Sequence, residues 1–434
     1  MKSTREQRAW YVYDWANSAF YTTVVTLFLG PWLTSLANNA AGPDGLVRPF
    51  GIPIAARSYW PYLVSLAVLL QVIFLPLLGA IADYGRRKRE LLGLFAYLGA
   101  AATIAMFALE GTLYLLGGVL FLIANLSFGA SIVLYNSFLP EIAAPEDRDS
   151  VSSKGWGIGY VGGGILLALN LFFYTRAESL GITQDFAVRI SLASAGLWWA
   201  VFTIVPMLVL RNRGQGKQLP KGQNYLSVGI SQLGHTLRDV RRYPHTLLFL
   251  LAFLIYNDGI QTVITLSSQF GQEELKLSMS TLTAVILIVQ FLAFGGALLF
   301  NLVAARIGNK QTVILSLVIW SLTLTYIYLA VHTERDFYIA AALIGLVLGG
   351  SQALSRSVFS LMIPTGREAE YFSLYEISDK GTSWIGPLFF GLALQFTGSY
   401  RIAIVSLILF FLIGIGILTK VDVAKGSTAA RHAD

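Results

Sequence analysis

The sequence predicts an all-α integral membrane fold of twelve transmembrane helices, arranged as two pseudo-symmetric six-helix halves. Three observations predict it. The 434-residue chain is 55% hydrophobic and only 13% charged, with a mean hydropathy of +0.63, a composition that a water-soluble chain of this length does not have. Apolar stretches of about 20 residues, long enough as helices to cross the hydrocarbon core of a bilayer, recur from end to end. One long polar segment, beginning RNRGQGKQLPKGQN at Arg211, divides those stretches six and six.

Apolar runs and their breakers place the spans at roughly 9–35, 59–83, 90–109, 112–138, 151–174, 187–210, 245–268, 279–304, 311–331, 337–361, 371–397 and 400–420. The charged start MKSTREQR precedes a run too long for a signal-peptide core and without an A-x-A-like cleavage site, so the first run reads as a retained span. The expected organisation is a six-helix bundle over 1–210, a linker over 211–244, a second bundle over 245–420 and a tail over 421–434. Within the linker Leu226, Ile230, Leu233, Leu237 and Val240 recur at helical spacing beside Arg238, Arg241 and Arg242. That pattern suits a short helix on the membrane surface or a flexible connector.

Placing both termini on one side gathers most of the basic residues there, including Lys2, Arg5, Arg8, Arg86 to Arg89, Arg238, Arg241, Arg242 and Lys420. The opposite side holds Arg48, Arg57, Arg176, Arg189, Lys276, Arg335 and Arg401. The positive-inside rule then makes both termini cytoplasmic, and a bacterial inner membrane is the expected location. The net charge of +7 reads as topological and not as a nucleic-acid footprint. Cysteine is absent and the four histidines are scattered without i, i+4 pairing, so no metal, haem or thiol chemistry, and no cofactor, is expected.

The halves echo each other. The turn GAIADYGRRKRELL after the second span aligns with LVAARIGNKQTVIL after the eighth, matching Gly85 with Gly308, although Asp83 meets Arg306. Pro145 and Arg148 match Pro364 and Arg367, and Tyr13-Asp14 in span 1 is echoed by Tyr256-Asn257-Asp258 in span 7. Repeated halves are the architecture of many secondary transporters.

The turn Gly79-Ala-Ile-Ala-Asp83-Tyr-Gly85-Arg86-Arg87-Lys88 resembles the signature of the major facilitator superfamily, and the resemblance covers almost the whole chain. Gly79 allows close helix approach, Gly85 a tight turn, and the acid and bases can pair across helix ends in one conformation only. "YDWANSAF", residues 13–20, is similar to the hallmark of the vacuole-effluxer-like branch, whose fungal members release amino acids from the vacuole. That likeness implies amino acids as a substrate class. Span 5 carries Gly155, Gly159, Gly163 and Gly164 in the register of the antiporter motif G-x-x-x-G-P-x-x-G-G, with Tyr160 where that motif has proline. The likeness implies export; close packing of span 5 on a neighbour is the alternative. Span 11 repeats part of the pattern as Gly381, Gly386-Pro387 and Gly391, while span 4 has Asn125 and Gly129 where proton-coupled relatives carry an arginine.

Polar residues in hydrocarbon cost roughly 2.5–3.5 kcal/mol each when ionised, so those present are expected to face the protein interior or water. Asp14, Asn17, Ser18 and Tyr21 share one face of span 1 by their i, i+3, i+4, i+7 spacing, as a binding stripe or as a pin for the helix end. Span 7 offers Asn257, Asp258 and Gln261 near its middle; Asp258, the deepest acid, is the expected proton carrier. Asn125 and Gln290 are candidates for binding substrate polar groups or for gluing helices together. Arg356 in span 10 with Glu376, Asp379 and Lys380 in span 11 suits an ion-pair gate or a static network.

The expected function is a secondary transporter that alternates access to a site between its halves, exporting a small polar solute, with protons as a second partner. An importer or uniporter of the same fold is the alternative, and an intramembrane enzyme using paired aspartates a distant one. No G-x-x-x-x-G-K-[ST] loop for ATP is present. The expected partners are a small-molecule substrate and the bilayer, not nucleic acid, with the chain as a monomer.

Overall fold

The computed structural model describes residues 3–84, 87–143, 148–212, 234, 238, 240–363, 375 and 383–431. The side chains from 76 to 84 are outside that description. Among the described residues the helices are α1 (Arg5–Ala40), α2 (Tyr59–Tyr84), α3 (Lys88–Ala105), α4 (Tyr114–Asn136), α5 (Arg148–Thr175) and α6 (Gln184–Val209) in the first half. The second half holds α7 (Pro244–Glu273), α8 (Met279–Ile307), α9 (Asn309–Ala330), α10 (Glu334–Ser360), α11 (Ile385–Thr397) and α12 (Tyr400–Lys420), followed by α13 (Val423–Arg431). Ten of them are long and apolar enough to cross a membrane. The 26-residue α2 and the shorter α11 stand at the second and eleventh expected positions, so the twelve-span count fits.

Helix α1 starts four residues before its expected span because Thr4 caps it. The Thr4 hydroxyl accepts from Gln7 N at 3.2 Å and Gln7 Oε1 accepts from Thr4 N at 2.9 Å, a reciprocal capping box. Its 36 residues are not uniformly α: Phe20–Phe28 winds as a π-helix, nine residues long. Such segments are rare and concentrate at functional sites. The wider winding changes the phase of the helix from Phe20 onward, so residues later in the segment depart progressively from α-spacing. The expected span 11 begins at 371; its described part is α11, and the expected surface helix of the linker lies largely outside the described residues. Within the tail expected over 421–434, Val423–Arg431 forms α13, and Gly426 sits close to Met362 and His245.

The chain divides into two compact units, residues 1–63 with 70–230, and residues 64–69 with 231–434. In the first, α1 packs on α5 and α6, and α3 packs on α4 and α6. Large side chains fill its interior: Tyr13, Phe20, Phe28, Trp60 and Trp199 are fully buried. Between α1 and α2 a two-stranded hairpin, β1 (Leu46–Val47) and β2 (Ile54–Ala55), pairs Leu46 with Ala55 and Val47 with Ile54. Asp44 pairs with Arg48 beneath it, and that guanidinium, with the Leu46 N–H, holds the exposed carboxyl below its ordinary range.

The second unit repeats the pairing, with α7 on α11 and α12, and α9 on α10 and α12. Helices α8 and α10 approach so closely that a methyl on Gly296 or Gly349 would run into the backbone carbonyl of Leu346 or Ala293. Gly308, the counterpart of Gly85, joins α8 to α9 with φ at +90°, a conformation open chiefly to glycine. Arg401 ties three elements, bonding Glu274 at 2.6 Å and donating to the Val331 carbonyl at 2.7 Å beyond the end of α9. Outside these contacts large apolar side chains are exposed, Leu208, Phe291 and Phe396 above three quarters, as helices standing in lipid require.

Candidate functional site

Each unit holds one aspartate in its first helix, packed against a glycine of its fifth. In the first unit Asp14 Oδ2 accepts from the Tyr135 hydroxyl of α4 at 2.7 Å. Trp10 stacks on the Tyr135 ring at 4.2 Å between centroids and 13° between planes, and its indole N–H donates to the Tyr135 carbonyl at 3.0 Å. Across from Tyr135 stands α5. A methyl on Gly155 would lie 2.7 Å from Asp14 Oδ2, one on Gly159 would lie 2.7 Å from Ser18 Oγ, and one on Gly163 would lie 2.9 Å from Thr22 Oγ1. Glycine here is what lets α1 and α5 touch. Gly164, placed by its spacing in the same packing set, instead faces open space, and Gly162 takes its place, 2.7 Å from the Trp15 carbonyl by the same measure. The physical reason is the helical period: positions 155, 159, 162 and 163 share a face at steps of three and four, and 164 turns away.

The rest of "YDWANSAF" is a hub. The Trp15 carbonyl accepts from the Trp198 indole at 3.1 Å, Asn17 is buried, and Phe20 leans on Phe128 and Trp199 at 5.4 and 5.5 Å between centroids. Tyr21 is half-buried over Phe128. Asn125 is buried in α4, and its carbonyl accepts from Gln71 Nε2 of α2 at 2.5 Å, with Gln71 filling the space left by Gly129. Sequence reasoning missed Tyr135, Gln71 and Trp198, which carry no motif of their own.

In the second unit Asp258 is 1% exposed. Its Oδ2 accepts from the backbone N–H of Gly386 at 2.9 Å, in the first turn of α11. Its Oδ1 is buried without a hydrogen-bond partner among the described residues. Thr262, one turn on, donates its hydroxyl to the Asp258 main-chain carbonyl at 2.7 Å. Two residues before Asp258, Tyr256 shares a hydrogen bond of 2.5 Å with Ser355 of α10, and Ser355 in turn donates to the Ser351 carbonyl at 2.6 Å. Asn257 is buried beside Asp258, while Gln261 and, on α8, Gln290 are half-buried.

The expected gate is only partly within view. Gly85, Arg86, Glu376, Asp379 and Lys380 lie outside the described residues, as do the side chains at Gly79 and Asp83; Arg87 is exposed at the start of α3, and Arg356 is exposed on α10. Two ion pairs are defined at that turn: Lys88 with Glu141, just beyond α4, at 2.8 Å, both mostly buried, and Arg89 with Glu90 at 3.1 Å. No group of three His, Cys, Asp or Glu side chains that could hold a metal occurs among the described residues.

A family model described as "vacuole effluxer Atg22 like" matches residues 2–431. An MFS-type transporter of Bacillus subtilis (strain 168), YxiO, is 31% identical over 96% of this chain and 95% of its own. Autophagy-related protein 22-1 of Penicillium rubens is 28% identical over 99% of this chain and 91% of its own. Among solved structures, a D-xylose–proton symporter superposes with a TM-score of 0.68 at 13% identity, covering 94% of this chain and 96% of that one. The nucleoside transporter NupG superposes at 0.66 with 14% identity, covering 96% and 98%. At these identities the structures speak for the fold, which is that of major facilitator transporters and not of enzymes.

Proposed function

Because the chain belongs to the vacuole effluxer Atg22-like family of membrane transporters, we propose that it is a secondary transporter exporting small polar solutes, amino acids first among them, in exchange for protons. The observation that supports the coupling part of this reading is Asp258: a carboxyl buried at mid-helix, with one oxygen unpartnered among the described residues, suits proton exchange when access alternates. Asp14, hydrogen-bonded by Tyr135 at 2.7 Å, is read as a binding or positioning group that stays ionised. Asn17, Tyr21, Asn125, Asn257, Gln261 and Gln290 supply the neutral polar groups from which a solute site is drawn. The excess of basic residues at one set of span ends supports a reading with both termini cytoplasmic, in a bacterial inner membrane.

The test is a counterflow screen in proteoliposomes, with and without an imposed pH gradient. Because the structural neighbours include transporters named for nucleosides and for xylose, the panel holds amino acids, nucleosides and pentoses. Counterflow of one or more amino acids is expected, with accumulation when the gradient is applied. Counterflow of a nucleoside or pentose alone would replace the substrate class, and accumulation that ignores the gradient would remove the proton.

A further inference from the structure

Helix α11 begins at Ile385, and the residue preceding it, Trp384, offers no side chain that caps it. A helix start leaves its first N–H groups without intrahelical acceptors, and these carry the positive end of the helix dipole. Asp258 reaches across from α7 and accepts the Gly386 N–H at 2.9 Å, so an acid from another helix does what an N-cap residue would do. Glycine is required there: a Cβ on residue 386 would lie 2.8 Å from Asp258 Oδ1 and would also strike Thr262 Oγ1. Oδ1 is fully buried, points into that same space and has no partner among the described residues. The Thr262 hydroxyl has donated its hydrogen to the Asp258 carbonyl and keeps a lone pair free to accept.

We propose that Asp258, Thr262 and the Gly386 N–H form a single proton-binding site, in which a proton on Asp258 Oδ1 is held by Thr262 Oγ1 and its release tightens the cap on α11. With the proton bound, Oδ1–H donates to Thr262 and Oδ2 accepts from Gly386, so every polar atom of the cluster is satisfied. With the proton gone, the full negative charge faces the first turn of α11, and a charge-assisted bond replaces a neutral one. Helix α11 therefore feels the proton through its own backbone. The inference deepens the coupling reading above and rests on it for its role in transport, though not for the existence of the site. The surroundings leave the cluster without a competing ion among the described residues: α11 contains no ionisable side chain, α12 carries Lys420 only at its far end, Arg401 pairs with Glu274, and Arg356 of α10 is exposed. Glu376, Asp379 and Lys380, which precede α11, are outside the described residues and enter the test.

The experiment uses the full chain in proteoliposomes, with protons as the probe, followed by infrared difference spectra of the carboxylic-acid band between acid and alkaline pH in water and in deuterium oxide. Of the bands given by the chain's 24 Asp and Glu residues, one should be missing in Asp258→Asn. Thr262→Val, which keeps the side-chain shape but not the acceptor, should move the pH at which that band is half lost toward acid by about one unit, the equivalent of one hydrogen bond. Thr262→Ser should restore it. Lys380→Gln should leave that band in place. A spectrum of Asp258→Asn that lacks none of the wild-type bands, or an Asp258 band that Thr262→Val does not move, overturns the site. The role in transport is read separately: a titrating band with no pH-driven transport in the wild type would sink the coupling reading and leave the site standing. Pairing of Asp258 with Lys380, seen as loss of the Asp258 titration in Lys380→Gln, would overturn the shared-proton geometry.

Discussion

At the scale of single residues the two acids differ in what holds them. Asp14 is bonded by a side-chain hydroxyl that mutation can remove without moving the backbone. Tyr135→Phe should leave its carboxylate one donor short, costing roughly 1.5–3 kcal/mol of local interaction, while the Trp10 stack persists. The expected outcome is weakened substrate exchange with normal membrane insertion, measured by counterflow and by detergent-extracted monodisperse yield. Unchanged exchange in Tyr135→Phe would make the bond a passive one. Asp258 is bonded by a backbone N–H, which no substitution of its donor other than proline can delete. Sequence alone marked Asp258 by its depth, Asp14 by its polar stripe, and both by the Tyr-Asp and Tyr-Asn-Asp echo. Their partners were illegible for opposite reasons: Tyr135 is one tyrosine among 20, and a main-chain donor has no residue signature.

At the scale of elements, span existence followed from length and apolar content, because lipid forces every backbone group into a helix. Hydropathy does not register the π-helix of α1, since the same residues are apolar in either winding, nor the docking of α13, whose contact is with the protein and not with lipid. The glycines of α5 test the packing directly. Gly162→Leu meets the Trp15 carbonyl and should cost on the order of 1–3 kcal/mol by overpacking, seen as a lower melting temperature of the purified protein. Gly164→Leu enters open space and should leave the melting temperature unchanged. Equal effects would mean that the α1–α5 contact does not have this register. Export, inferred from the likeness of Gly155, Gly159, Gly163 and Gly164 to an antiporter motif, draws no support from the packing itself, which explains the first three without it.

At the scale of the whole molecule, orientation and gating are the properties to test. Because the chain has no cysteine, single substitutions report sidedness directly. Lys217→Cys and Lys425→Cys should react with an impermeant thiol reagent only from the cytoplasmic side, and Arg57→Cys and Arg335→Cys only from outside; any reversal refutes the positive-inside assignment. For the expected gate, Arg356→Gln with Glu376→Gln, or with Asp379→Asn, should recover transport or expression lost in Arg356→Gln alone, because an ion left without its partner is costlier than none. Strictly additive losses in both doubles would leave Arg356 outside any such network.

The central claim is that a solute moves by alternating access while Asp258 carries the proton that drives it. The most direct measurement compares wild type, Asp14→Asn and Asp258→Asn in one proteoliposome preparation, reading substrate exchange without a gradient and accumulation with one. Exchange needs binding and alternation but no net proton movement. Asp258→Asn should keep exchange within about a few-fold of wild type and lose pH-driven accumulation, whereas Asp14→Asn should weaken both together. Full pH-driven accumulation in Asp258→Asn would contradict the claim.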